Sequence, residues 1–198
     1  MEASEVGPSE RLDVAIAEFN ALRAEIAGRS SAQHGLLNLS LVATAAIGTI
    51  AFSDAARRPV LLLLPILACI FGVLYFDHHF AIATIGKYIK NELAPDIRRH
   101  VSWSRALRWE EFVRVEALSR TGLANGMVRF DLPIILAFVV VPALSTIYVA
   151  SFASGPWFWV AWSVGVLAEA LTVVVGVVAT RGWRSDIEQH DRGGAGST

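Results

Sequence analysis

The sequence predicts an all-α, polytopic membrane protein with four transmembrane helices in two hairpins and a cytoplasmic helical extension. The chain is 54% hydrophobic, its mean hydropathy is +0.50, and the apolar excess is concentrated in four runs. Each run approaches the roughly 20 residues that a helix needs to cross about 30 Å of hydrocarbon. The four runs lie at about residues 36–52, 59–76, 132–150 and 157–180.

The distribution of positive charge predicts which side of the membrane each connection faces. Of the 17 Lys and Arg residues, only Arg57 and Arg58 lie on a short tip between paired spans. Positive residues concentrate in cytoplasmic loops, and this bias sets the orientation of multi-pass proteins. We therefore expect a protein of the bacterial inner membrane with both termini and the central segment in the cytoplasm. The net charge of −1 gives no reason to expect a nucleic-acid partner.

Apolar periodicity extends the first hairpin beyond the membrane. Two sets of apolar residues recur at spacings of three or four, which predicts two amphipathic helices. The sets are Leu12, Ile16, Phe19, Leu22 and Ile26, then Ile82, Ile85, Ile89 and Leu93. Because a tight tip makes the two helices antiparallel neighbours, we expect these sets to pack on each other. The hairpin should cover residues 9–94, with extensions at 9–30 and 77–94, and Pro95 should end it.

The rest of the chain divides by charge and composition. Residues 95–130 are predicted to form a cytoplasmic amphipathic helix with linkers, because Glu110 and Arg114 are a favourable i,i+4 pair. Residues 131–181 should form the second transmembrane hairpin. Residues 1–8 and 182–198 are expected to be a flexible N-terminus and a flexible tail.

Glu169 is the most unusual ionisable residue, because it falls near the middle of the fourth run. A carboxyl at that depth costs several kcal/mol unless it is neutral, paired or hydrated. One interpretation is a pore or proton-pathway residue. The other is a protonated side chain that hydrogen-bonds to Thr44 or Ser40 on a neighbouring helix. Both interpretations place Glu169 inside the bundle or at a subunit interface.

A second polar cluster lies where the second run is predicted to leave the membrane. Asp77, His78 and His79 are consecutive, and His34 precedes the first run at a similar depth. Adjacent histidines point about 100° apart on a helix, so His78 and His79 do not share a metal ion easily. Hydrogen bonding at the membrane interface is the favoured interpretation, and no metal or cofactor is expected. No nucleotide-binding or nucleophile motif is present, so we do not expect an enzyme.

The first half of the chain resembles a family of small bacterial integral membrane proteins. The resemblance rests on residues 19–30 (FNALRAEIAGRS), Gln33 and residues 76–95 (FDHHFAIATIGKYIKNELAP). The layout over residues 10–125 is similar to the SLATT class, which places a cytosolic helical extension around a transmembrane hairpin. Membership would imply a role in bacterial conflict as a pore-forming or membrane-perturbing effector. The second hairpin departs from the two-span members and resembles four-span relatives.

These observations favour an oligomeric membrane protein over an enzyme. The leading expectation is a homo-oligomer in the lipid bilayer that forms or gates a pore or perturbs the membrane. A non-conducting scaffold or accessory subunit is the alternative, and an intramembrane enzyme or transporter is a third. Residues 9–30 and 77–125 offer a surface for a cytoplasmic protein partner.

The charge asymmetry makes a topology prediction. Asp54→Cys and Ser154→Cys, each in a Cys69→Ala background, should react with a membrane-impermeant thiol reagent in intact cells, because both tips face outward. A cysteine placed in the tail should stay unlabelled until the membrane is permeabilised. Labelling of the tail but of neither tip would overturn the orientation.

Overall fold

The computed structural model describes residues 7–101, 132–152 and 155–194, and these residues are almost entirely helical. Four helices are long and apolar enough to cross a membrane, which confirms the predicted all-α architecture. We name them α1 (Pro8–Ser53), α2 (Ala55–Val101), α3 (Leu132–Ala150) and α4 (Pro156–Gly194). The first eight residues of α2, Ala55–Leu62, form a 3-10 helix. The predicted cytoplasmic helix within residues 95–130 lies largely outside the described residues.

Helix α1 is a single helix of 46 residues, about 69 Å long at 1.5 Å per residue. It begins at Pro8, with Gly7 at the N-cap, because the fixed φ of proline and its missing N–H suit the first helical position. It ends at Ser53. The side chain of Asp54 then accepts a hydrogen bond from the Ala56 N–H at 3.0 Å and starts α2. The connection is therefore one residue long, shorter than the predicted tip at 53–58.

Helix α1 packs on the antiparallel α2 through one continuous seam. Its members recur every seven residues, which is the period of a left-handed coiled coil. They are Leu12, Phe19, Ile26, Gln33, Ser40 and Ile47, all buried or half-buried. The same face therefore serves the segment beyond the membrane-length run and the run itself.

The part of the seam beyond the membrane-length run forms its own core, which we call the extension core. Ala15, Ile89, Leu93 and Ile97 are buried there. Partly buried apolar residues pack around them: Leu12, Phe19, Leu22, Ile26 and Ile85. This core contains all but two of the residues predicted to pack there, and the two that are missing are Ile16 and Ile82. Ile16 is 43% exposed, because Ala15, three residues after Leu12, is the residue that this turn of α1 buries against α2.

Helix α2 does not end at Pro95, contrary to the prediction. A π-helical segment, Ile89–Leu93, precedes the proline, and the helix continues through Ala94–Val101. Proline lacks an N–H and its ring clashes with the carbonyl four residues earlier, and the wider π turn accommodates both defects. Helix α4 likewise continues to Gly194, where a flexible tail from residue 182 was predicted.

Helix α2 contacts each of the other three helices. Helices α2 and α4 run parallel, and glycines bring them close. A Cβ on Gly165 would lie 3.1 Å from Pro65 Cγ, and one on Gly72 would lie 3.1 Å from Thr172 Cγ2. Helix α3 packs on α2 through Phe138, which is fully buried. The indole N–H of Trp162 on α4 donates to the Thr146 carbonyl on α3 at 3.1 Å.

The extension core makes a stability prediction. Phe19→Asp should lower the free energy of unfolding by about 2–4 kcal/mol, because it places an unpaired charge in a packed seam. Ile16→Asp is the matched control on the exposed face of the same turn, and its effect should stay within about 0.5 kcal/mol. Chemical denaturation in detergent measures both. Equal losses for the two variants would show that this segment is not packed through Phe19.

Candidate functional site

Glu169 lies on the face of α4 that packs against α2. Along this face the residues recur at alternating spacings of four and three: Phe158, Trp162, Gly165, Glu169, Thr172 and Gly176. Gly165 contacts Pro65, and a Cβ on Gly176 would lie 3.1 Å from Phe76 Cζ. Small residues let helices approach closely in a membrane. Glu169 is therefore held between two close helix contacts.

The carboxyl group of Glu169 is buried without a partner. Both Oε atoms are inaccessible and have no hydrogen-bond partner among the described residues. The parallel register of Pro65 with Gly165 and of Gly72 with Thr172 puts Glu169 at the level of Cys69, next to Ala68. Ala68 is itself buried in an apolar cluster with Ala137 and Phe138. An unpaired polar group in such surroundings costs free energy.

Neither predicted partner of Glu169 reaches it. Ser40 is buried in the seam of α1, and Thr44 lines a cleft of about 270 Å³ between α1 and α3. The hydroxyl of Thr172, one turn from Glu169, donates to the Ala168 carbonyl of its own helix at 3.0 Å. Within the described residues, Glu169 therefore makes no hydrogen bond to Ser40 or Thr44.

A second irregularity of hydrogen bonding lies at the same level of the bundle. Helix α3 contains a π-helical segment, Leu136–Val140, in which the Val141 N–H bonds to the Leu136 carbonyl. The Ala137 carbonyl loses its usual α-helical donor because the Val141 N–H bonds to Leu136 instead. The Phe138 carbonyl loses its usual donor because Pro142 has no N–H. π-bulges occur often at functional sites. One layer of the bundle thus holds a buried carboxyl and two carbonyls without their usual donors.

The histidine cluster is not assembled as a site. His34 and Asp77 are exposed, whereas His78 is half-buried. His78 Nδ1 is inaccessible and has no hydrogen-bond partner in the described part of the chain. Within that part, no group of three or more His, Cys, Asp or Glu residues is placed to hold a metal ion. The contact considered between His34, Asp77 and His78 is not formed as a ligand set.

Sequence reasoning gave no role to Gln33, which makes a polar contact across the seam. Gln33 is buried, and its side-chain Nε2 donates to the Tyr75 carbonyl on α2 at 3.2 Å. Tyr88 on α2 donates from its hydroxyl to a Glu18 carboxylate oxygen on α1 at 2.7 Å. A polar residue at one core position of a coiled coil fixes the register of its helices. The seven-residue spacing of Gln33 from Ile26 and Ser40 was the signal that could have identified it.

Comparison with known proteins gives no assignment. No family model matches the chain, and no curated protein and no solved structure is similar to it.

The unpaired carboxyl makes a stability prediction. Glu169→Leu should raise the free energy of unfolding by about 1–3 kcal/mol, because it removes a buried group without a hydrogen bond and keeps a similar volume. Glu169→Gln keeps an unpaired polar group and should gain less. Denaturation in detergent measures the three proteins side by side. A loss of stability in Glu169→Leu, with Glu169→Gln unchanged, would show that the carboxyl has a partner.

Proposed function

We propose that this chain is a homo-oligomeric protein of the bacterial inner membrane that forms or gates a pore, with both termini in the cytoplasm. The observation that carries the proposal is an exposed polar face at membrane depth on α1. Asn38 lies on this face, within the run predicted to cross the membrane, and it is exposed.

The outer face of α1, as we call it, lies opposite the seam with α2. Its members are spaced alternately by four and three residues, and all of them are exposed: Ser31, Gly35, Asn38, Val42, Ala45 and Thr49. A Cβ built on Gly35 would meet nothing within 4 Å. Alternating spacings of four and three with small residues suit close packing against a second helix. Helix α1 therefore has two packing faces, and one of them is open.

The hydrogen-bonding requirement of the Asn38 amide indicates what covers the outer face of α1. The hydroxyl of Thr49 is satisfied within its own helix by the Ala45 carbonyl at 2.8 Å. The amide of Asn38 has no hydrogen bond to another described residue, and lipid chains offer it none. An unpaired amide in hydrocarbon is costly, whereas asparagine side chains hydrogen-bond readily between membrane helices. A second copy, which brings the same Asn38 to the contact, satisfies this requirement.

A ring of such copies explains how assembly leads to conduction. With the outer faces packed around a common axis, the Asn38 amides would bond to one another in the closed state. They would line a path when the helices move apart, and the Val42 side chains would narrow it. Hydrophobic constrictions gate by dewetting, and polar rings support the passage of ions. The resemblance to the SLATT class supports a role as a conflict effector, with residues 9–30 and 77–125 open to a cytoplasmic protein partner.

The alternative function is a non-conducting scaffold or accessory subunit. The burial of Glu169 favours it, because both carboxyl oxygens are enclosed by packed helices within the described structure. In a scaffold the outer face of α1 would still join copies, and no path would open. The two functions share the same interface and differ in flux.

The interface predicts a cross-linking pattern. In a Cys69→Ala background, Asn38→Cys should form disulfide-linked dimers in membranes under mild oxidation. Ser40→Cys, two residues away but buried toward α2, should not. Leu171→Cys, exposed on α4, controls for random collision. Cross-linking at Leu171 equal to that at Asn38 would exclude a specific α1 interface.

Flux separates the pore from the scaffold. Purified protein in liposomes should release a small ion, and Asn38→Leu should weaken association about tenfold for ~1.4 kcal/mol of lost hydrogen bonding, with flux falling in parallel. Glu169→Gln keeps assembly intact and tests whether the carboxyl contributes to selectivity or pH dependence. Specific cross-linking at Asn38 without flux under any condition would favour the scaffold.

A further inference from the structure

A cleft opens where α2 and α4 begin, at the end of the bundle that carries both tips. Its volume is about 680 Å³, within the roughly 300–1,000 Å³ typical of small-molecule sites. Apolar side chains line it, among them Val60, Leu63, Phe152, Phe158 and Val164. We call it the tip cleft. Its wall is suited to a hydrocarbon chain.

Positive charge stands at the mouth of the tip cleft. The guanidinium carbon of Arg58 lies 4.6 Å from the centre of the Phe152 ring, and Phe152 is part of the cleft wall. Arg57 is the adjacent residue and is exposed. The side chain of Asp54, the carboxylate nearest in sequence, is engaged by the Ala56 N–H. The sequence places no other Asp or Glu within residues 55–76 or 132–168.

Exposed tryptophans at the start of α4 indicate the membrane depth of Arg58. Trp157 is 82% exposed and Trp159 is exposed beside it at the start of α4. Tryptophan at the ends of membrane helices sits at the level of lipid headgroups. Phe158, between them, lines the tip cleft. Arg58 therefore stands near headgroup depth, and the cleft below it runs toward the hydrocarbon.

We propose that the tip cleft binds an anionic phospholipid, with one acyl chain along the apolar wall and its phosphate on Arg57 and Arg58. Guanidinium groups bind phosphate through paired, charge-assisted hydrogen bonds. The phosphate and the acyl chain of one phospholipid then each contact a part of the site with matching chemistry. The site also gives a role to the two arginines that oppose the charge bias of the other 15 Lys and Arg residues. The assignment does not depend on whether the protein conducts.

The occupant is a lipid of the leaflet on the tip side. Free inorganic phosphate would use the arginines but leave the apolar wall bare. A second copy of the chain would cover the wall but bring no anion, because the described tip surface is itself basic. An anionic phospholipid uses both parts.

The test measures lipid-specific stabilisation of the full-length protein in a mild neutral detergent. Phosphatidylglycerol added to the micelles should raise the melting temperature of the wild type, and the zwitterionic phosphatidylcholine with the same acyl chains should raise it much less. Arg57→Gln with Arg58→Gln should weaken the apparent affinity for phosphatidylglycerol about tenfold or more, the effect of losing a charge-assisted contact. Arg99→Gln, an exposed arginine at the other end of α2, is the matched control and should behave as wild type.

A second variant tests the apolar half of the site. Val164→Trp fills the tip cleft without changing charge, and it should reduce the phosphatidylglycerol effect while leaving the melting temperature without lipid unchanged. Equal stabilisation by both lipids would overturn the proposal in favour of unspecific lipid contact. The same shift with inorganic phosphate alone would reduce the site to an anion contact and overturn it. A changed oligomer size in Val164→Trp, with no lipid selectivity in the wild type, would assign the cleft to a second copy instead.

Discussion

The rest of the structure depends on the seam between α1 and α2. Six residues at strict seven-residue spacing, from Leu12 to Ile47, keep one face of α1 on its partner over nearly its whole length. A straight α-helix drifts about 20° per heptad from such a repeat, so the two helices must coil slightly around each other. Apolar contacts tolerate small slips along the axis. The hydrogen bond from Gln33 to the Tyr75 carbonyl does not, because a shift by one turn would leave a buried amide unpaired.

The position of α2, once fixed, determines where the second hairpin packs. Gly72 presents no side chain to α4, and Gly165 presents none to Pro65. Both contacts bring backbones together and leave little room for adjustment. The two π-helical segments solve a different problem. Each lies just before a proline, Pro95 in α2 and Pro142 in α3, and the helix continues past the proline in both cases.

Local sequence patterns predicted the elements well and their junctions poorly. Four spans and both amphipathic extensions follow from hydropathy and period, which are properties of short windows. Ile16 was misplaced because a spacing of four fits the pattern as well as three, and only the partner helix selects Ala15. Pro95 was read as a stop because the π turn that accommodates it leaves no clear mark in the sequence. The sequence placed Glu169 near the middle of its span. It could not show that the carboxyl lacks a hydrogen-bond partner, because that depends on the register of α4 against α2.

Two polar side chains without a hydrogen-bond partner among the described residues, Asn38 and Glu169, lie on opposite sides of α2. Asn38 is on the outer face of α1, and the Glu169 carboxyl is enclosed between α4 and α2. A single aqueous path therefore cannot touch both while the seam is closed. If protonation at Glu169 is to influence copies joined through Asn38, the effect must pass through α2, which packs on both helices. Coupling of this kind needs an element with two arrangements, and it would have to act through the contacts that α2 makes with both α1 and α4.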